Sequence, residues 1–526
     1  MLRISGIDAA VFFAVLLASP RPGGATDRSA AYAVESIPGP PGVDAQVGGL
    51  DFLPDGRAAV CFHRGEVYWH EPAAGSWTRF AEGLHEPLGL VARSESEVLV
   101  LQRPELTRLI DGDGDGAAER YETLSDGFGI TGNYHEFNYG PVRDGKGDLW
   151  ISLNTASNAE SIFEEVRGAF HPLGLPREAF YEDWPRNRDA AGRMFARVPY
   201  RGWVLRVDPA TGALTPWACG FRSPNGLGFD LEGRLFVTDN QGDWVGSSKL
   251  HAVRRDGFYG HPASLLWRPG WDRDPVQIPI EELDGMRERE AVLFPHGIAA
   301  SSPTQPLVDA TGGKFGPFAG QLFVGEMNRP RIMRVMIEEV SGRLQGACIP
   351  FLDGNGLRQG INRMAFAPDG SLWIGQSHLA WAGGEGVQRI RWTGEMPFEI
   401  LEARLTRDGF RFRLTRPARG LEAGWKPGVQ RYYYAYHPAY GSPQHDLTGV
   451  LVEKVDLLED GRVIEVGLEE LRAGYIYEIQ LDGLLSDAGA SLGHSVFWYT
   501  ANRLLDGSLP PAQIPGVSRP EDPRSE

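Results

Sequence analysis

Two stretches of the chain bring together residue types that do chemistry. Residues 111–122 read DGDGDGAAERYE, with Asp111, Asp113 and Asp115 alternating with glycines and Glu122 at the twelfth position. Hard oxygen ligands at odd positions of a tightly turning loop converge on one cation, Gly116 permits the sharp bend, and a carboxylate at position twelve can bind bidentately. The pattern predicts bound calcium; the competing reading is a Gly/Asp-rich hairpin turn without metal. Because the flanks look like strands and not helices, the ion expected is a structural one in a loop. Residues 133–142 read NYHEFNYGPV, where His135 stands beside a carboxylate, ahead of a glycine turn. It is either a general base or a histidine packed beneath a loop.

Other candidates recur in similar settings. Arg222 and Asn225 lie in GFRSPNGLGF, Gln241, Gly242 and Asp243 in DNQGDW, and His296 in LFPHGIAASSP. Glu326, Asn328 and Arg329 lie in VGEMNRPR, and Arg363 opens a further apolar strand. Singly, each has a structural explanation: a turn, a satisfied carbonyl, a solvated ion pair. Together they flank the same kind of strand, and polar residues at one position of a repeated unit form a convergent site.

That unit is visible as internal repetition. An apolar strand, an Asp/Pro-Gly turn and a second apolar strand recur from Gly49, Gly89, Gly140, Gly226, Gly313 and Asn362. Two short alternating segments joined by a tight turn are hairpin chemistry, and pairs such as WVLRVDPATGALTPW complete four-stranded units. The fold expected is all-β: a six-bladed β-propeller over 40–397, followed by a small β-sandwich of immunoglobulin or fibronectin-III type over 398–505. Tyr475 or Tyr477 is the candidate corner tyrosine of that sandwich. Long, aromatic-rich insertions at about 154–200 and 262–310 are expected as loops on one face, often the binding face of a repeat scaffold. Residues 506–526, rich in Pro, Ser and charge, read as a disordered tail.

The N-terminus carries Arg3, an apolar run from Ala9 to Ala18, then prolines and small residues. This reads as a secretory signal peptide over 1–25 and an exported, periplasmic or secreted, protein. The run is about half the roughly 20 residues a membrane span needs, and no later stretch suits one. With 69 acidic against 52 basic residues and a net charge of -17, the chain has no basic stripe and no nucleic-acid partner is expected. Cys61, Cys219 and Cys348 form no C-x-x-C-H or C-x-x-C motif; buried thiols are expected, with one disulfide an open alternative.

The series YHEFNYGPVRDGKGDLWISL, GFRSPNGLGFDLEGRLFVTDNQGDW, KLHAVRRDGFYGHP, GQLFVGEMNRPRIMRV and GINRMAFAPDGSLWIG resembles the glucose/sorbosone dehydrogenase family, the soluble PQQ-dependent sugar dehydrogenases. It is closer still to exported propeller proteins of planctomycete-type bacteria often fused to a haem-binding C-x-x-C-H domain. The resemblance covers roughly 45–395. It implies His135 as the base taking a sugar hydroxyl proton, Arg222 and Arg363 as cofactor-site cations, and Gln241, Gly242 and Asp243 as a loop whose carbonyls bind calcium beside PQQ. The family's asparagine after the first arginine is Ser223 here, its quinone-contacting lysine aligns with Asn328, and the first of its paired arginines aligns with Ile361. Arg329 can compensate for the missing lysine.

Three functions follow. The first is a quinoprotein-like dehydrogenase oxidising a sugar or related alcohol and passing electrons to a separate acceptor. The second is a calcium-dependent propeller hydrolase or lyase with His135 or His296 as base, and the third a non-catalytic carbohydrate- or protein-binding propeller.

Overall fold

A computed structural model describes residues 31–158, 165–169, 171, 193–379, 383–422, 424–511 and 513–514. The segment read as a signal peptide, most of the first insertion and residues 515–526 lie outside the described residues.

The first repeat shows how sequence becomes sheet. Val47–Phe52 and Ala58–Phe62 pair across a turn in which Gly56, at φ 97°, donates to the Leu53 carbonyl. Val67–Glu71 and Ser76–Ala81 then complete a sheet with strands in chain order. Among the described residues, the same order holds for the sheets beginning at Leu90, Asn138 and Leu227, and for the first four strands of the sheet beginning at Pro303.

The sixth unit is assembled differently. Ile361–Phe366, Leu372–Gln376 and Gly386–Trp392 take their outer strand from Tyr32–Ile37, which lies ahead of the expected boundary at 40. The first strand of each unit touches the first strand of the next, and that of the sixth touches that of the first, so the units close into a propeller-type ring. Glycines set how closely these inner strands approach. A Cβ on Gly89 would lie 1.9 Å from the Gly140 carbonyl oxygen, and one on Gly226 2.4 Å from Gln305 Cα. The recurring glycine of the repeat is therefore a steric requirement of the channel wall.

Unit five corrects two expectations. Its inner strand is Pro303–Val308, and the stretch from Gly313 that read as the start of the repeat belongs to the connection to Leu322–Glu326. The second insertion accordingly contains regular blade strands, because Val292–Phe294 is the outer strand of unit four. The remaining strands of unit five, Arg331–Val340 and Arg343–Asp353, are long because they serve two cores. Arg343–Asp353 pairs with Val496–Ala501, and the sheet runs on through Tyr475–Gln480, Gly428–Tyr433 and His445–Gly449.

A second C-terminal sheet, ordered Ile400–Leu405, Gly409–Leu414, Val463–Leu468 and Val452–Leu458, shares a core with this extension. Phe410, Phe412, Tyr477, Phe497 and Tyr499 form its aromatic centre, together with Met336 and Ile349 from the propeller side. The Tyr477 hydroxyl accepts from the backbone N–H of Arg472 at 2.6 Å, five residues upstream, as a corner tyrosine does. Gln513, in the segment read as a tail, is buried; its amide donates to the Gly474 carbonyl at 2.6 Å and accepts from Arg289 at 2.9 Å.

All three cysteines are buried and free, so there is no disulfide among them. Burial pushes the thiols of Cys61 and Cys219 up to about 12, which leaves them unreactive at neutral pH.

Candidate functional site

In each unit the inner strand starts, and the second strand ends, at the same mouth of the ring. The residue after the second strand is polar in five units: His63, Gln102, Asn154, Asn240 and Ser377. His135 and Arg222 lie on loops leading into inner strands at this mouth, and Gln241 to Asp243 on the loop leaving a second strand. Several buried polar atoms here have no hydrogen-bond partner: Asn154 Oδ1, Arg222 Nε, Asn240 Oδ1, Asp243 Oδ1, His296 Nδ1 and Glu326 Oε2. Leaving a buried polar group without a hydrogen bond costs about 1–3 kcal/mol, so these atoms are open to polar partners brought from elsewhere.

His135 is held by its loop. The Asn133 side chain accepts the backbone N–H of His135 at 3.0 Å and that of Ser157 at 3.1 Å, tying the turn to the short strand Ala156–Ser157, which pairs with Met194–Phe195. Glu136, the carboxylate adjacent in sequence, does not pair with His135. It is buried, accepts from Thr131 N at 2.7 Å and lies 3.8 Å from Arg201. His135 Nδ1 is 2.8 Å from the Thr155 carbonyl oxygen. A carbonyl only accepts, so the proton sits on Nδ1 and the Nε2 lone pair is the basic one. Burial, and then the positive charge of Arg222, lower the pKa of His135 to about 3, keeping the imidazole neutral throughout the physiological range.

Arg222 and Asp243 complete the group. Their Nε and Oδ1 atoms are 3.7 Å apart with both side chains nearly buried. Gly242 makes the approach feasible, since a Cβ there would lie 2.2 Å from Arg222 Cδ. Asp243 is oriented by His261, whose Nδ1 accepts from Ala263 N at 3.4 Å and whose Nε2 therefore donates to Asp243 Oδ2 at 3.0 Å. Burial alone would raise the Asp243 carboxyl; His261 and Arg222 outweigh it and hold the group below the usual carboxylate range. Beneath them Asp239 accepts the backbone N–H groups of Arg222 at 3.0 Å and Ser223 at 2.7 Å, and faces the buried ammonium of Lys249 at 3.6 Å.

The other candidates occupy the same mouth with different partners. Arg363 directs Nε and Nη2 to the Leu88 carbonyl, and Nη1 to the Asn362 carbonyl and to Asn225 Oδ1 at 3.1 Å; it packs over the Tyr139 ring. It is a buried strut between units, and Asn225 is its partner. Glu326 Oε1 accepts from Ser301 N and Ser302 N at 3.0 and 2.7 Å, and burial raises its pKa. Arg329 is exposed and donates to the Gly297 carbonyl, one residue beyond His296; Asn328 is exposed beside it. Gln241 bonds within its loop, donating to the Gly246 carbonyl at 3.1 Å.

The loop after the fourth unit's second strand departs from the resemblance. Asp243–Val245 forms a strand pair with Tyr436–Tyr440 of the C-terminal region, and Gly441 N donates to the Gly242 carbonyl at 2.9 Å. One of the carbonyls expected to bind calcium is thus engaged by the chain itself. On the same side, Tyr440 lies under Arg222, with 5.5 Å from the guanidinium carbon to the ring centroid, and under Arg193, at 4.3 Å. His261, Asp239, Arg193 and Tyr440 were not singled out by sequence. Only His261 carries a local signal, a histidine immediately before the proline that opens the 3-10 helix Pro262–Trp267.

The aspartate loop is elsewhere. It joins the third and fourth strands of unit two, Leu106–Ile110 and Arg120–Ser125, at the opposite end of the blade from the mouth. Asp111, Asp113 and Asp115 offer oxygens within 4.8 Å of one another. Glu122 does not join them: it lies on the outer strand and pairs with Arg120 and Arg108. Glu119 faces the loop instead, accepting from Gly112 N at 2.9 Å.

The residues present fit an anionic, ring-shaped group such as PQQ on one side of the mouth. Arg222 Nε makes no hydrogen bond there, facing Asp243 at 3.7 Å, and Tyr440 offers an aromatic ring, whereas Arg363 is fully occupied. A cleft lined by His63, His85, Glu86, Arg103, Tyr134 and Phe137 lies against the loop that carries His135.

A family model described as a domain of unknown function, DUF7133, matches residues 73–199. No curated protein matches the chain. Among solved structures, a putative oxidoreductase (glucose dehydrogenase) from Thermus thermophilus is 18% identical, with 68% of this chain and 99% of that one covered and a TM-score of 0.45. The PQQ-bound aldose sugar dehydrogenase of Streptomyces coelicolor is 16% identical, with 69% and 98% covered and a TM-score of 0.44. A Trichoderma reesei protein of carbohydrate-active enzyme family AA12 is 12% identical, with 70% and 97% covered and a TM-score of 0.48.

Proposed function

We propose that this protein is an exported six-bladed propeller with an immunoglobulin-type C-terminal domain, and that its channel mouth oxidises a hydroxyl group of a sugar or related alcohol. The observation that carries this reading is the neutral His135, with its proton fixed on Nδ1 by Thr155 and its basic Nε2 within the electrostatic reach of the Arg222 guanidinium. The leader-like N-terminus supports export.

In this reading His135 Nε2 takes the substrate's hydroxyl proton. Its pKa of about 3 makes it a weak base in the free protein. Negative charge placed against Arg222 weakens the effect that depresses His135, so basicity is gained when the site fills. Arg222, kept in place by Asp243 and Gly242, stabilises negative charge beside the imidazole, and Asp243 is in turn oriented by His261. PQQ, when bound, supplies the hydride acceptor; Arg222 and Arg329 would hold it, and a separate electron acceptor would reoxidise it. Thr155 fixes the tautomer and Asn133 the loop, so His135 needs no rearrangement to act.

The same reading gives calcium a structural place at Asp111, Asp113 and Asp115, away from the mouth. The test is dye reduction by the PQQ- and calcium-supplemented protein across a panel of aldoses and polyols. Turnover abolished in His135→Ala, with binding retained, supports the assignment. Full turnover in that variant, or none in the wild type with any member of the panel, refutes it.

A further inference from the structure

The geometry points to a clamp for a carboxylated ring, completed by the C-terminal domain: the exposed Tyr440 ring together with the guanidinium groups of Arg193 and Arg222 that lie over it. This rests on the reading of the mouth as a ligand site and adds to it a residue that lies far outside the ring in sequence.

Three observations converge. Tyr440 is delivered by backbone pairing, Tyr436–Tyr440 against Asp243–Val245, with Gly441 N on the Gly242 carbonyl at 2.9 Å. That seat is built for closeness, since a Cβ on Gly246 would lie 2.3 Å from Ser442 Cβ. It is also anchored from behind. The Tyr436 hydroxyl donates to the Gly260 carbonyl at 2.5 Å, and Arg287, paired with Asp284 and Glu290 in a buried cluster, lies over the Tyr436 ring.

Second, the Tyr440 ring lies beside two cations yet remains 47% exposed, a large aromatic surface left open at a mouth whose polar atoms are unpaired. Third, although the net charge of the chain is -17, two guanidinium groups meet at this ring. Arg222 has the acidic partner Asp243 and Lys249 has Asp239, while Arg329, at the same mouth, donates among the described residues to the backbone carbonyls of Gly297 and Ile298. Guanidinium groups gathered at an open surface favour an anion. An exposed phenol ring flanked by guanidinium groups suits a ring that carries carboxylates, with apolar contact to the tyrosine and charge-assisted bonds to the guanidinium groups. The clamp therefore supplies, from the first insertion and the C-terminal domain, cationic character that Asn328 and Ile361 do not.

Two ligands share that chemistry, a planar polycarboxylate such as PQQ and a uronate-type sugar acid. The full chain is titrated with PQQ by absorbance, and with galacturonate and glucose by calorimetry. The same titrations are made on Tyr440→Ala, Tyr440→Leu, Tyr440→Phe and Arg193→Gln, with thermal unfolding confirming that each variant folds. The expected result is saturable binding of PQQ or of galacturonate, weakened about tenfold by Tyr440→Ala and by Tyr440→Leu and kept by Tyr440→Phe. Arg193→Gln should weaken it too and reduce its salt dependence. Whichever of the two ligands responds is the clamp's ligand.

Glucose binding as tightly as either acid, affinity unchanged in the Tyr440 variants, or no binding of either acid overturns the clamp. Binding through Tyr440 without alcohol oxidation keeps the clamp and removes the dehydrogenase reading. Alcohol turnover that depends on His135 but is indifferent to Tyr440 and Arg193 keeps the dehydrogenase reading and removes the clamp.

Discussion

The channel mouth and the aspartate loop are both dense in charged and polar side chains, but they spend them differently. In the loop the carboxylates satisfy their own backbone: Asp111 accepts from Gly114 N at 2.7 Å and Gly116 N at 2.9 Å, Asp113 from Asp115 N at 3.2 Å, and Asp115 from Ala117 N at 2.9 Å. At the mouth, buried oxygens of Asn154 and Asn240 have no hydrogen-bond partner, and Arg222 Nε and Asp243 Oδ1 face each other at 3.7 Å without a hydrogen bond. The first arrangement holds a turn together before any ligand arrives. The second is stable only because the ring around it supplies the energy, and that is how a site differs from a well-made turn.

The comparison breaks most visibly at His135. His135→Ala should lower turnover at least a hundredfold, since general-base catalysis contributes about 10²–10⁴. Steady-state kinetics beside an unchanged circular dichroism spectrum would show it. Next is Arg222→Met. It leaves the Asp243 carboxylate buried without its cation and should cost about 3 kcal/mol in urea unfolding. Because the Arg222 charge helps to depress His135, the same variant should raise the His135 pKa above about 3, as read by NMR titration.

A third prediction concerns His251, which is fully buried against Phe221 and Tyr259 with neither ring nitrogen hydrogen-bonded. Burial lowers its pKa to about 3, against about 6.5 for the unfolded chain. The unfolded state therefore binds the proton first as the pH falls. The stability contributed by keeping His251 neutral is complete above pH 6.5 and declines as pH drops toward 3. Between pH 7 and pH 5 this should remove roughly 2 kcal/mol, and His251→Phe should flatten that part of the stability curve.

The smallest effect is expected at the loop. Asp111→Ala removes the carboxylate that accepts from the Gly114 and Gly116 N–H groups and should cost about 1 kcal/mol without calcium present. Calcium should raise the melting temperature of the wild type and not that of Asp113→Ala. A loop variant that abolished turnover would erase the distinction between the two regions.

What the sequence revealed is what short range encodes. Turn glycines and alternating apolar residues expose the hairpins of each unit, and loop position relative to the strands brings His135, Arg222 and Asp243 to one mouth. Glu122 was misplaced because a twelve-position calcium loop assumes that the chain curls back on itself. Here position twelve is already in an extended strand whose side chain turns toward Arg108 and Arg120. The start of unit five was misplaced because Pro303–Val308, with prolines at 303 and 306, does not look like an inner strand. Tyr440 and Arg193 were invisible for a different reason. Their role depends on a strand pairing between segments some two hundred residues apart, which no local pattern announces.

The outer strand of unit six carries its own consequence. Glu35 and Arg391, which bond across that seam at 3.1 Å, stand 356 positions apart. The ring is a circle with a single nick, and its two lips are the earliest and nearly the latest parts of the propeller to leave the ribosome. For most of its synthesis the nascent protein is an unclosed arc with Gly386–Trp392 not yet made. Tyr32–Ile37 must therefore wait without its partner until Gly386–Trp392 has been made, and only then can the ring that carries His135 close.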